Sequence, residues 1–143
     1  MVQDLAIGTV LIAATVCLHT LGLMAVTDLT ARLMPLWRAH ARVGPVLAMM
    51  SVVLGIFAIL SVEIWFWAGA YLLLGVVPGG EAALYFSTTT FATVGFGDVV
   101  PHAQWRLLAA LEGIDGFLLI GWSTAYLVSA GTRIGPFRIG EHF

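Results

Sequence analysis

Residues 93–98 read Thr93-Val94-Gly95-Phe96-Gly97-Asp98. Glycines at alternate positions permit backbone conformations with positive φ. Where the signs of φ and ψ alternate along a segment, successive carbonyls point to one side, which an ordinary strand cannot do. Such a file of carbonyls around a path would replace the hydration shell of a cation. Non-helical backbone at membrane depth is tolerated only when buried in protein or lining a water-filled path. The segment therefore needs flanking elements that bury it or form the wall of a channel.

Carboxylates are the second source of chemistry. Glu112 and Asp115 are one helical turn apart and share a face. Acids inside a membrane helix are costly and call for a functional explanation. One reading is a proton-sensitive or cation-attracting ring. The other is a buried scaffold acid bonded to Ser87, Thr88, Thr89 or Thr90, the simpler reading for Glu112. Glu63 stands beside the aromatic group Trp65, Phe66, Trp67 and Tyr71. It is expected to be an interfacial, hydrated acid, with a hydrogen bond to a neighbouring helix as the alternative. His102 follows Pro101; it is expected to be solvated, with tuning by external pH as the sharper reading. His19 is expected to be a packed or hydrogen-bonded polar residue, since no second His or Cys lies beside it at metal-binding spacing.

These groups sit in a strongly apolar chain. Of 143 residues, 60% are hydrophobic and 10% charged, and mean hydropathy is +1.00. A soluble domain would be far more polar. The net charge of −2, with six Arg, no Lys and no basic cluster, argues against nucleic-acid partners. Cys17 is the single cysteine, so no intrachain disulfide can form. A bilayer core about 30 Å thick needs roughly 20 apolar residues per helix. Leu5–Val26 fits, and the start Met1-Val2-Gln3-Asp4 lacks a signal peptide's positive region, so this helix is expected to be retained. Val43–Val77 is longer than one simple span. Its span is expected near Val46–Phe66, with the aromatic group as an interfacial belt and Ala68–Val77 continuing at or above the outer surface. The third run is Trp105–Ala130. Between the second and third runs, Pro78-Gly79-Gly80 breaks the chain. Glu81 then opens a short helix to about Ala92, roughly 18 Å long, too short to span.

Arg positions orient the chain. Thr27–Gly44 holds Arg32, Arg38 and Arg42, the residues after Ala130 hold Arg133 and Arg138, and Pro78–His102 holds none. The positive-inside rule places the first loop and C-terminus in the cytoplasm, with the N-terminus and Pro78–His102 outside. Leu29, Leu33, Leu36 and Trp37 among the loop's Arg residues would let it lie on the membrane as an amphipathic helix.

The run Thr90-x-x-Thr93-Val94-Gly95-Phe96-Gly97-Asp98 resembles the filter motif of the potassium-channel pore-domain family, T-x-x-T-x-G-[YF]-G-D, and the resemblance extends from Val43 to about Ala130. It implies an all-α membrane protein, tetrameric around a central pore. Three transmembrane helices would accompany a re-entrant pore helix and filter loop between the second and third. It implies K⁺ coordination by the carbonyls of Thr93, Val94, Gly95 and Phe96, with Gly97 completing the filter and the Thr93 hydroxyl at the innermost site. The pore helix would aim its partial negative end at the central cavity. Phe96 replaces the commoner Tyr, and Phe86 stands where relatives often supply an indole, so donor and acceptor are lost together. Thr89 stands where some relatives carry a Glu that contacts the filter-end Asp. Asp98 then needs another partner, and Tyr85 is the candidate. Thr89 and Thr90 are further filter supports. Gly113, Gly116 and Gly121 would allow close packing, and Gly116 lies near the bend by which relatives open. Ser123, Thr124, Ala125 and Tyr126 would line the cavity.

Expected boundaries are 1–42 for the extra helix and Arg-bearing loop, 43–130 for the pore domain and 131–143 for a short tail. Within the pore domain these divide into outer helix 43–77, pore helix 81–92, filter 93–97 and inner helix 105–130. No Arg-rich sensor helix is present in Leu5–Val26, and the short tail leaves no room for a ligand-binding domain. Gating would then come from the pore, the bilayer, protons or a separate regulatory protein. Homotetramer formation, contact with membrane lipids and a prokaryotic inner-membrane location are the associated expectations. The rivals are a weakly selective or nonselective cation channel and a nonconducting pore-like subunit. A membrane enzyme built on Glu63, Glu112 and Asp115 would lack any Ser-His, Cys-His or metal-ligand constellation.

Overall fold

The structure, a computed structural model, describes residues 2–38 and 43–134. Arg42, Arg138 and the rest of the expected tail beyond 134 lie outside the described residues. Among the described residues, four α-helices follow one another: α1 (Val2–Arg38), α2 (Gly44–Leu74), α3 (Gly80–Phe91) and α4 (Arg106–Arg133), with a 3-10 turn over Ala103–Trp105. Three stretches, Val2–Leu36, Gly44–Leu74 and Ala103–Arg133, are long and apolar enough to cross a membrane. The chain is an all-α, multi-pass integral membrane protein with a short helix between its second and third spans.

The first span and the expected Arg-bearing loop as far as Arg38 are one helix. No glycine interrupts the chain between Gly22 and Gly44, and α1 continues through Thr27 and Pro35 to Arg38. Hydroxyls along it fold back onto their own helix: Thr9 donates to the Leu5 carbonyl and Thr20 to Val16, at 2.7 and 2.8 Å. This removes a bare polar group from an apolar setting.

α2 starts with Pro45 in its first turn, where the missing N–H costs no helical bond. It stops at Leu74, three residues short of the expected end, because Gly75 takes a left-handed conformation at φ 65. The Gly75 N–H donates to Leu72 O and the Val76 N–H to Tyr71 O, at 3.3 and 2.9 Å. This paired closure ends a helix cleanly. Val76 and Val77, in the connection to α3, are buried.

The aromatic group on α2 is not a uniform interfacial belt. Trp65 is 64% exposed, whereas Trp67 and Tyr71 are fully buried. Tyr71 follows Trp67 by four residues, so both side chains face inward. They join Phe86, Phe91, Trp105, Leu108 and Leu119 in a core between α2, α3 and α4, against which Ile7 and Leu11 of α1 also pack. A second cluster of Leu23, Val26, Val52, Ile56, Ile59 and Ala130 fills the space between α1, α2 and α4 further along.

Candidate functional site

The loop after α3 is held by the end of that helix. The Thr93 N–H donates to Thr90 O at 3.0 Å. The N–H groups of Val94 and Gly95 both donate to Thr89 O, at 2.9 and 3.1 Å. Thr89 thus supports the loop through its carbonyl, while its hydroxyl turns back to Phe86 O at 3.0 Å. Positive φ occurs at Thr93 (59), Gly95 (53) and Gly97 (80), and at neither Val94 nor Phe96. The sign of φ therefore alternates along the five residues. Thr93 adopts this conformation despite its β-branch, a strained choice in which the two N–H bonds following it are anchored on α3.

Beyond the loop, the Tyr85 hydroxyl donates to Asp98 Oδ2 at 2.8 Å, and Asp98 Oδ1 accepts the Val99 N–H at 3.1 Å. The bond to Asp98 raises the Tyr85 pKa above its ordinary value. Phe86 points away from the loop and lies against the Tyr71 ring, with centroids 5.4 Å apart. His102 is exposed, and its backbone N–H reaches Val76 O at 3.5 Å. Residues 92–98 are all exposed in the single chain, including Val94 (54%) and Phe96 (71%).

The acids of α4 and α2 are buried side by side in a polar ladder. In the first rung, Ser87 of α3 donates to Glu112 Oε1 at 2.5 Å, and Tyr71 donates to Glu112 Oε2. In the second, Asp115 Oδ2 accepts from Thr15 of α1 at 2.7 Å and from the Trp67 indole at 3.1 Å. In the third, His19 Nδ1 lies 2.9 Å from Glu63 Oε1, with Ser123 Oγ 3.5 Å from His19 Nε2. In the fourth, the hydroxyls of Thr27 and Tyr126 meet at 2.7 Å. Successive rungs advance along α1 and α4 and recede along α2, as two parallel helices and one antiparallel helix require.

This overturns the reading of Glu63 as an interfacial, hydrated acid: its side chain is fully buried and bonded to α1. Glu112 and Asp115 face α1–α3, so the side of α4 bearing Ile114, Phe117, Leu118 and Trp122 is the exposed one. Tyr126 and Ser123, expected in the cavity lining, face α1 instead. Sequence reasoning missed Thr15, Trp67, Tyr71 and Ser123 as partners. The signal was present: Glu63, Trp67 and Tyr71 are spaced by four, as are Thr15 and His19, and such spacing places each set on one helix face.

Gly116 is a contact residue. A Cβ there would lie 2.1 Å from Phe91 O and 2.8 Å from its Cα. That absence of a side chain lets α4 touch the end of α3, a steric role distinct from the expected bend.

The second and third spans, a short helix between them and an irregular loop anchored on that helix describe the pore unit of a membrane channel. Residues 47–133, more than half of the chain, match the family model described as Ion channel; the chain belongs to that family and is not an enzyme. No curated protein and no solved structure matched the chain.

Proposed function

We propose that the protein is a potassium-selective channel in which four identical chains bring their 93–97 loops together around one axis. The observation that carries this reading is the alternation of φ along Thr93–Gly97. Alternation turns successive carbonyls toward one side, where four copies would surround a dehydrated cation. In this assembly the carbonyls of Thr93, Val94, Gly95 and Phe96 coordinate K⁺, and the Thr93 hydroxyl completes the innermost site. Gly97 supplies the turn out of the filter. The exposure of Val94 and Phe96 supports the same reading, since apolar side chains left bare in one chain call for cover by neighbours. The C-terminal end of α3 then faces the axis with its partial negative charge. By the distribution of Arg, the N-terminus and the filter mouth lie outside and the end of α4 lies in the cytoplasm.

The test is a reversal potential, with K⁺ on one side of a planar bilayer and Na⁺ on the other. A value near the K⁺ equilibrium potential, with current abolished by Gly95→Ala, is expected. An L side chain at Gly95, whose φ is 53, costs about 1–2 kcal/mol in that conformation. Current reversing near zero would replace this reading with a nonselective cation channel. Formation of a tetramer that takes up no ions would replace it with a nonconducting subunit.

A further inference from the structure

The rungs of the ladder are unequally complete. Each oxygen of Glu112 has a hydroxyl partner, Tyr71 on one and Ser87, which also reaches Ile64 O, on the other. Asp115 Oδ2 accepts two hydrogen bonds, whereas Asp115 Oδ1 has no partner. Glu63 Oε1 meets His19, whereas Glu63 Oε2 has none. Both residues are at least nine-tenths buried, at 2% and 0% exposure. A buried carboxyl oxygen without a donor is costly, and scaffold acids do not ordinarily leave one open.

Charge leads to the same place. Glu63 lies one turn of α2 from Trp67, which donates to Asp115, and its partner His19 lies one turn of α1 from Thr15, which also donates to Asp115. The groups facing them are Thr15 and His19 from α1, Trp67 from α2 and Ser123 from α4, with Glu112 one turn away on α4; of the three acids, Tyr71 and Ser87 reach only Glu112, and Ser87 also reaches Ile64 O. No Arg lies in Thr15–Leu23, Leu60–Tyr71 or Glu112–Tyr126. With His19 as the one basic group among these partners, two ionised acids leave a surplus negative charge even when the imidazole is protonated. An unbalanced charge in so apolar a setting is strongly disfavoured.

We infer that Glu63, Asp115 and His19 form a proton-binding site within the membrane, with one exchangeable proton on Glu63 Oε2 or Asp115 Oδ1, and that its occupancy sets how firmly α1 is held against α2 and α4. The proton comes from water and returns to water; no other bond is made or broken. His19 is the mechanical link, since it joins Glu63 on α2, approaches Ser123 on α4 and lies 5.2 Å from the Trp122 ring. With the proton bound, the site carries one negative charge fewer and the three helices close on one another. Its loss leaves repulsion where α1 meets the middle of α4. The site stands independently of the pore reading; its effect on current rests on that reading.

The test uses the full chain in lipid bilayers and two readouts. In pH-difference infrared spectra, a buried carboxylic C=O band is expected to vanish as pH rises. Glu63→Gln or Asp115→Asn should remove that titrating band, and Glu112→Gln should retain it. If one of the first two variants does not assemble, the other carries the comparison. No titrating band in the wild type, or a band surviving both substitutions, overturns the site. In bilayer recordings the pH dependence of open probability should be lost in Glu63→Gln with the reversal potential unchanged. A titrating band with pH-insensitive current overturns the coupling. A titrating band in a protein that passes no current supports the site and counts against the pore reading alone.

Discussion

Tyr85 and Asp98 tie α3 to the outgoing end of the loop through a bond made at the surface of the single chain. The bond raises the Tyr85 pKa above 10.0, so its contribution is fully present below that pH and is lost as pH rises through the raised value. Asp98→Asn should return one tyrosine to ordinary alkaline titration, seen by tyrosinate absorbance. Deeper in the protein, Tyr71→Phe leaves Glu112 Oε2 without its donor. The expected loss is about 1–3 kcal/mol of stability, read by thermal unfolding in detergent. At this scale the loop was highly legible in the sequence, because glycine spacing states a backbone requirement directly. The partners of the acids were less so. A carboxylate's neighbour depends on which face of which helix packs against it, and Trp67 and Tyr71 serve equally well as interfacial aromatics or as buried donors.

Helices α3 and α4 touch where Gly116 meets the Phe91 backbone. A methyl group there must push backbone aside, so Gly116→Ala should destabilise the assembly by roughly 1–3 kcal/mol. It should also disturb ion selectivity, because α3 holds the loop. Unchanged oligomer stability with altered gating alone would return Gly116 to the role of a hinge. The α1–α2 contact also uses small residues: a Cβ at Gly22 would meet Ile59 at 2.7 Å, and one at Gly55 would meet Val26 at 2.6 Å. Helix existence was readable from apolar runs of bilayer length. The union of the first span with the Arg-bearing segment was not, because a change from apolar to amphipathic character marks a change of surroundings rather than a break in the backbone. The end of α2 at Gly75 was missed because Val76 and Val77 extend the apolar run beyond the helix.

In the whole molecule, α1 covers α2 and one side of α4, while the row Ile114, Phe117 and Leu118 stays open on the other side. A tetramer closing on that open side leaves α1 at the rim. Cys17, exposed on α1, then faces lipid. An oxidant should give no disulfide-linked dimers on a denaturing gel. Abundant dimers would place α1 between subunits instead. The length of α1 has a mechanical consequence. Its 37 residues make a rod of roughly 55 Å, well beyond the ~30 Å hydrocarbon core. The ladder grips that rod from Thr15 to Thr27, Ile7 and Leu11 pack on the core before it, and no residue from Ala31 to Leu36 is buried. Such a rod is a lever with its fulcrum in mid-membrane: a small tilt at His19 becomes a larger sideways sweep at Arg38, so bilayer thickness and pull on the far end act on the same pivot.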